Sequence, residues 1–242
     1  MPRWFLPLII PLFVSASFAA KGESTAPLPD DAGRLALERT RSLVEEIRAA
    51  SFPELKDASI KVELLDSEAD YFRTRFSIPH FLAGRRMRYL IKVNPAVFSL
   101  AAPEAGVRAI IAHELGHIVW FRQRNRLELL GLIRLTSKKY TARFERWTDL
   151  QAIARGYGEG LKEYRRWLYR HVPPQKLGEK RRNYFSPEEI DAILARIRQQ
   201  PELLKRWLKK VPLDIQSISG QPSGNRSDTE FARSSKLNHH SE

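Results

Sequence analysis

Residues 113–117 read His-Glu-Leu-Gly-His. Two imidazoles four positions apart on a helix stand on one face, about a turn from each other, so both can reach one metal ion. Glu114 adds a carboxylate able to accept and deliver a proton. The chain has no cysteine, which removes thiol nucleophiles, disulfides, iron–sulfur clusters and Cys-ligated zinc, and restricts any metal site to His, Asp and Glu. At about 100° per residue, Val107, Ile110, Ile111, Leu115, Ile118 and Val119 form a broad apolar arc. Glu114 projects within that arc, and His113 and His117 stand at its edge. An unpaired buried carboxylate is costly. A solvated polar face therefore suits Arg122, Gln123 and Arg124 but not Glu114, whereas a zinc site with a catalytic carboxylate explains the whole wedge.

A second polar pair lies downstream in Phe144-Glu145-Arg-Trp-Thr-Asp149. Glu145 and Asp149 are four apart on a predicted helix, and Ala142, Ala152 and Gly156 share their face. Small residues around two carboxylates let another helix approach closely, while Phe144, Trp147, Leu150 and Ile153 are expected to point elsewhere.

The elements that must position these groups follow from periodicity. Asp30-Asp31 open an amphipathic helix carrying Leu35, Leu37, Leu43, Val44 and Ile47. Strands are predicted from Ile60, over Tyr71–Ile78 and over Arg86–Val93, with a hairpin-like turn at Gly84 and a stop at Asn94-Pro95. Helices then run over about 103–122, 138–156, 159–171 and 186–209, the last broken near Pro201. Ser186-Pro187-Glu188-Glu189 supplies an N-cap, a proline at the first position and first-turn acids. A small antiparallel or mixed sheet packed on the motif helix, followed by a helical C-terminal half, makes an α+β domain.

HExxH followed by ExxxD resembles the gluzincin branch of the zincin metallopeptidases, and the HELGH form is similar to the membrane-linked and minimal gluzincins. The resemblance covers mainly residues 103–156 and implies a zincin-like fold. It implies that His113, His117 and Glu145 bind one zinc ion, that Asp149 orients a ligand imidazole (His113), and that Glu114 is the general base. It also implies that the strand at Arg86–Val93 lies along the cleft and pairs with an extended peptide. Three protein ligands leave the fourth zinc position for water, which the ion acidifies. The tetrahedral oxyanion needs a further donor, for which Tyr157 is a candidate, with Tyr164 and His171 behind it. The gap of 27 residues between His117 and Glu145 is longer than in the shortest gluzincins and holds an apolar run at 127–135. Glu128 is a rival third ligand, but no Asp follows four residues on. A metzincin is excluded, because its Gly and third His would fall on Trp120 and Gln123.

The N-terminus has one Arg, an apolar run from Phe5 to Phe18 and small residues near Ala19, as a cleaved export signal does. Residues 1–19 are read as that signal, 20–29 as a polar lead-in, 30–212 as the domain and 213–242 as an unstructured polar tail. The mature chain is then expected to carry no transmembrane span and to be periplasmic or secreted. With 41 Lys+Arg against 28 Asp+Glu the net charge is +13. Eight cations and two acids fall in 121–146, and the same numbers in 162–182. Export and the lack of any nucleic-acid module argue against nucleic acid. The expected partners are a peptide or protein substrate and an anionic envelope surface of phospholipid, lipopolysaccharide or wall polymer. The competing expectation is a basic envelope-binding protein on the same scaffold without catalysis.

Overall fold

The computed structural model describes residues 31–125, 128–129 and 137–220. The expected signal at 1–19, the lead-in at 20–29, residues 221–242 and most of the apolar run 127–135 lie outside the described residues. The chain opens with α1 (Asp31–Ser51), whose buried Leu43, Val44 and Ile47 recur at helical spacing. Three strands follow, β1 (Ser59–Leu64), β2 (Phe72–Phe76) and β3 (Arg88–Val93), in the spatial order β1-β3-β2. β1 runs parallel to β3, from Ser59 opposite Arg88 to Leu64 opposite Val93. β2 runs antiparallel to β3, from Phe72 opposite Val93 to Phe76 opposite Tyr89. The sheet is therefore mixed.

The turn expected between β2 and β3 is longer than a hairpin. Pro79 sits in the first turn of a short helix, α2 (Ile78–Leu82), where its missing N–H costs nothing. Gly84, at φ 69°, then reverses the chain. After β3, the Asn94 side chain holds the next turn: Oδ1 accepts from the Ala96 N–H (2.9 Å) and Nδ2 donates to the Ser67 carbonyl (2.7 Å). α3 (Ala96–Ser99) leads into α4 (Glu104–Arg122), which carries the motif.

α4 is buried on nearly every side from Gly106 to Phe121, not along an arc alone. It packs against β2, α1, α5 (Lys138–Ala154) and α6 (Gly158–His171). A helix surrounded in this way has no solvated stripe, so its polar residues must be matched by protein groups. Close approach to α6 depends on Gly160, where a Cβ would stand 2.2 Å from the Ala105 carbonyl oxygen.

The helical half continues with α7 (Pro174–Asn183), which the sequence pattern does not announce, then α8 (Pro187–Gln199) and α9 (Glu202–Lys209). Ser186 closes a full capping box with Glu189. The expected unstructured tail from 213 begins too early. Asp214 caps a further short helix, α10 (Ile215–Ser219), and Ile218 is fully buried. A single apolar side chain with a capped turn is enough to seat this segment on α8. The α+β class stands, with a small mixed sheet and mostly helical content. No helix among the described residues is long and apolar enough to cross a membrane.

Candidate metal centre

α4 and α5 cross at the motif. A Cβ on Gly116 would stand 2.8 Å from Thr148 Cγ2, so the glycine of HELGH lets the two helices touch. That contact brings Glu145, one turn before the crossing on α5, to the imidazoles. Its Oε2 lies 3.3 Å from His113 Nε2 and 3.3 Å from His117 Nε2. Gly156 has no such role: at φ 87° it ends the helix, and nothing lies within 4 Å of a Cβ placed there. Phe144 does not point elsewhere as expected. Its ring packs 4.7 Å from that of His117 and 4.6 Å from Trp120, forming an apolar wall beside the second imidazole.

The far nitrogens are held. Asp149, fully buried, faces His113 Nδ1 at 2.7 Å. Burial pushes the Asp149 carboxyl up, but Arg165, His113 and the Phe185 N–H outweigh it and keep it ionised. An ionised carboxylate only accepts, so Nδ1 carries a proton and Nε2 is the nitrogen turned toward Glu145, able to present a lone pair once its own proton leaves. Thr148 Oγ1 donates to the Phe144 carbonyl (2.7 Å) and lies 3.5 Å from His117 Nδ1, which orients the second imidazole the same way.

Two imidazole nitrogens and a carboxylate oxygen thus converge on one point, all within 4.8 Å of one another. Such a cluster holds together only with positive charge in it, which a proton on His113 or a metal ion can supply. Burial alone would lower the pKa of His113, yet Asp149 and Glu145 hold it at about 9. Burial would raise Glu145, yet His117 and His113 hold it well below the usual carboxylate range. Glu114 Oε2 and Glu145 Oε2 are buried without a hydrogen-bond partner. Ligand bonds of about 2.0–2.1 Å at tetrahedral angles put donor atoms roughly 3.3–3.4 Å apart, and the observed separations of Oε2 from the two nitrogens are 3.3 Å. The chemistry and spacing of this set fit a divalent metal ion, and His113, His117 and Glu145 could hold one.

The surroundings correct several expectations. Tyr157 is structural: its hydroxyl meets Ser51 Oγ at 2.9 Å, and it does not line the space beside Glu114. His171 is also away from that space; its Nδ1 meets the Trp167 carbonyl at 2.8 Å. Tyr164 does line it, as does a residue the motif gives no hint of, Tyr184, whose ring is 5.9 Å from that of His113. Burial raises both phenols, so both stay protonated and able to donate. Neither hydroxyl hydrogen-bonds a described residue. Glu128 is no rival ligand: its carboxylate takes the Asn125 N–H (3.3 Å) and amide (3.0 Å). The strand at Arg86–Val93 is not a cleft edge either, since β3 has a neighbour on both sides. The strand beside the motif is β2, where Thr74 Oγ1 donates to the Glu114 carbonyl at 3.2 Å.

Arg165 was also not expected in the site. Although it lies in a basic run, it is buried, donates to Asp149 Oδ1 at 2.7 Å and lies 4.3 Å from the Tyr184 ring centroid. The Phe185 N–H donates to Asp149 Oδ2 at 3.0 Å. The capping box explains that reach. Glu189 accepts the Ser186 N–H (2.8 Å) and also Arg146 of α5 (2.7 Å), which pins residues 184–186 against the metal-site helix. The mouth is tied across as well: Lys180 bonds Asp70, and the Tyr71 hydroxyl donates to the His171 carbonyl at 3.2 Å. About 30 Å³ of space remains beside Glu114, room for roughly two waters. Comparison of the chain with protein-family models, with curated proteins and with solved structures finds no match, and the reading of the site rests on its own residues.

Proposed function

We propose that the chain is an exported zinc-dependent metallopeptidase of the gluzincin type, with peptides or proteins as substrates. The observation that carries this reading is the convergence of three lone-pair donors beside the unpartnered carboxylate of Glu114. His113, His117 and Glu145 would hold the ion; Asp149 and Thr148 orient the imidazoles. Bound zinc would supply Lewis acidity for the scissile carbonyl and a water acidified toward neutrality. Glu114 takes a proton from the attacking water and delivers it to the leaving amine. Tyr184, rather than Tyr157, is the donor to the developing oxyanion, with Tyr164 behind it. β2 would take the place of the expected cleft-edge strand. The surplus of cations would hold the domain near an anionic envelope surface.

The test is a chelator-sensitive peptidase assay on the full chain and two variants. Glu114→Gln is expected to keep one zinc per chain and lose hydrolysis by at least a thousandfold. Tyr184→Phe is expected to lower kcat by roughly 10²-fold with KM nearly unchanged, the magnitude of one lost oxyanion donor. Full activity in Glu114→Gln would overturn the mechanism. One observation favours a second reading: the small space beside Glu114 admits no peptide side chain while the Asp70–Lys180 and Tyr71–His171 ties are made. In that reading the metal is structural and the protein is a basic envelope-binding module. One zinc per chain with no hydrolysis of any peptide library would select it.

A further inference from the structure

A second cavity, of about 460 Å³, lies at the C-terminal end of α4 and shares no lining residue with the space beside Glu114. Its apolar lining includes Met87, Tyr89 and Phe121, and three guanidinium side chains also line it, Arg86, Arg122 and Arg124. The lining acid among the described residues is Asp57, which engages Arg86 through its backbone carbonyl. Arg122 makes no ion pair or hydrogen bond with a described residue. Arg124 Nη1 donates to the Trp120 carbonyl at 3.0 Å, and its guanidinium lies over the Trp120 ring at 3.5 Å. Glu128, the acid nearest in sequence, is committed to Asn125. Tyr89 is 4% exposed, and its hydroxyl has no hydrogen-bond partner among the described residues.

An apolar cavity wall with unmatched cations and a spare phenolic donor suits only certain ligands. A neutral apolar molecule would leave the guanidinium groups unanswered, and a bare inorganic anion would leave the apolar wall wet. The volume is toward the small end of small-molecule sites, roughly 300–1,000 Å³, too small for a lipid with several acyl chains. We propose that this cavity binds an anionic amphiphile, a single apolar chain ending in one phosphate or carboxylate. The chain lies against Met87, Tyr89 and Phe121. Arg122 and Arg124 take the head group as charge-assisted donors, with the Tyr89 hydroxyl as a third. This binding is independent of zinc and of the proposed hydrolysis.

The chain has two methionines, Met1 and Met87, so ¹³C-methyl-methionine labelling gives one reporter inside the cavity. The full chain is titrated with dodecyl phosphate, dodecanoate, dodecyl maltoside and inorganic phosphate, each below micelle formation. The expected result is a saturable shift of the Met87 signal with the two anionic amphiphiles and none with maltoside or phosphate. A preference between the two tells a phosphate head from a carboxylate. Arg122→Gln is expected to weaken binding at least tenfold while leaving the thermal midpoint in place. An unmoved Met87 signal with both amphiphiles overturns the proposal. So does an equal shift with maltoside, or binding of phosphate alone as tightly as dodecyl phosphate.

Discussion

The middle and the C-terminal end of α4 handle charge in opposite ways. Around His113 and His117, the buried ions other than Glu114 have an answer in protein: Arg165 for Asp149, Arg146 for Glu189, two imidazoles for Glu145. One turn beyond His117 the balance lapses, and among the described residues neither Arg122 nor Arg124 forms a close ion pair with a carboxylate. Part of that is ordinary, since cations in a last turn are favoured by the helix dipole. The difference shows that the net charge of +13 is not spread as a uniform coat. In the interior cations are fixed structural parts, and at the helix end they remain available to a ligand.

The contrast breaks most sharply on Arg165. Arg165→Met leaves Asp149 buried without its cation, and removing one partner of a buried pair costs about 3–5 kcal/mol. Arg122→Gln, on the surface, is expected to stay within about 0.5 kcal/mol. Denaturant melts of the two variants side by side check this, and equal losses would erase the distinction.

The next effect is on pH. His113 has a folded pKa of about 9 against an ordinary 6.5. In the metal-free protein this contributes on the order of 3 kcal/mol. The raised value means that the contribution is complete below about 6.5 and is lost as pH rises through about 9. A metal ion held by His113 would have to displace that proton, so its apparent affinity would run the other way, weakening up to tenfold for each pH unit below about 9. Metal titrations from pH 6 to 9 measure the slope, and a flat profile would remove His113 from the ligand set. The smallest loss expected inside the fold is at Ser186. Ser186→Ala should cost about 1 kcal/mol through the lost cap, read as a lower denaturant midpoint at unchanged m.

The polar residues of the two crossing helices were legible because each is anomalous where it stands. Glu114 interrupts an apolar arc, and Glu145 and Asp149 share a face with alanines. The three strands were legible from alternation, but their order was not. Alternation gives each strand a buried face without naming its neighbour, so the central place of β3 and the edge place of β2 appear only in the register. Arg165 was missed because its neighbours in sequence, Arg166 and Arg170, make the run look solvated. Its helical phase was a usable signal, since it lies four after Leu161 and three before Leu168, both buried. Tyr184 follows α7, far from both motif helices in sequence, and nothing local marks it. The Ser186 capping box was visible as a helix start. What it holds in place, the Phe185 N–H on Asp149, depends on a contact between distant segments.

α10 also bears on where the chain can be cut. Ile218 is sealed, and Arg196 of α8 donates to the Ser219 carbonyl at 3.0 Å. α8 in turn carries Glu189, whose capping box sets the segment reaching Asp149. A chain ended at Pro212, where composition alone suggests trimming, would unseat Ile218 and loosen the far end of that helix. Proteolytic clipping between Leu213 and Ile215 would do the same to the full chain. The last described turn thus gives a protease a handle on the candidate metal centre, although it touches none of the residues that could hold the ion.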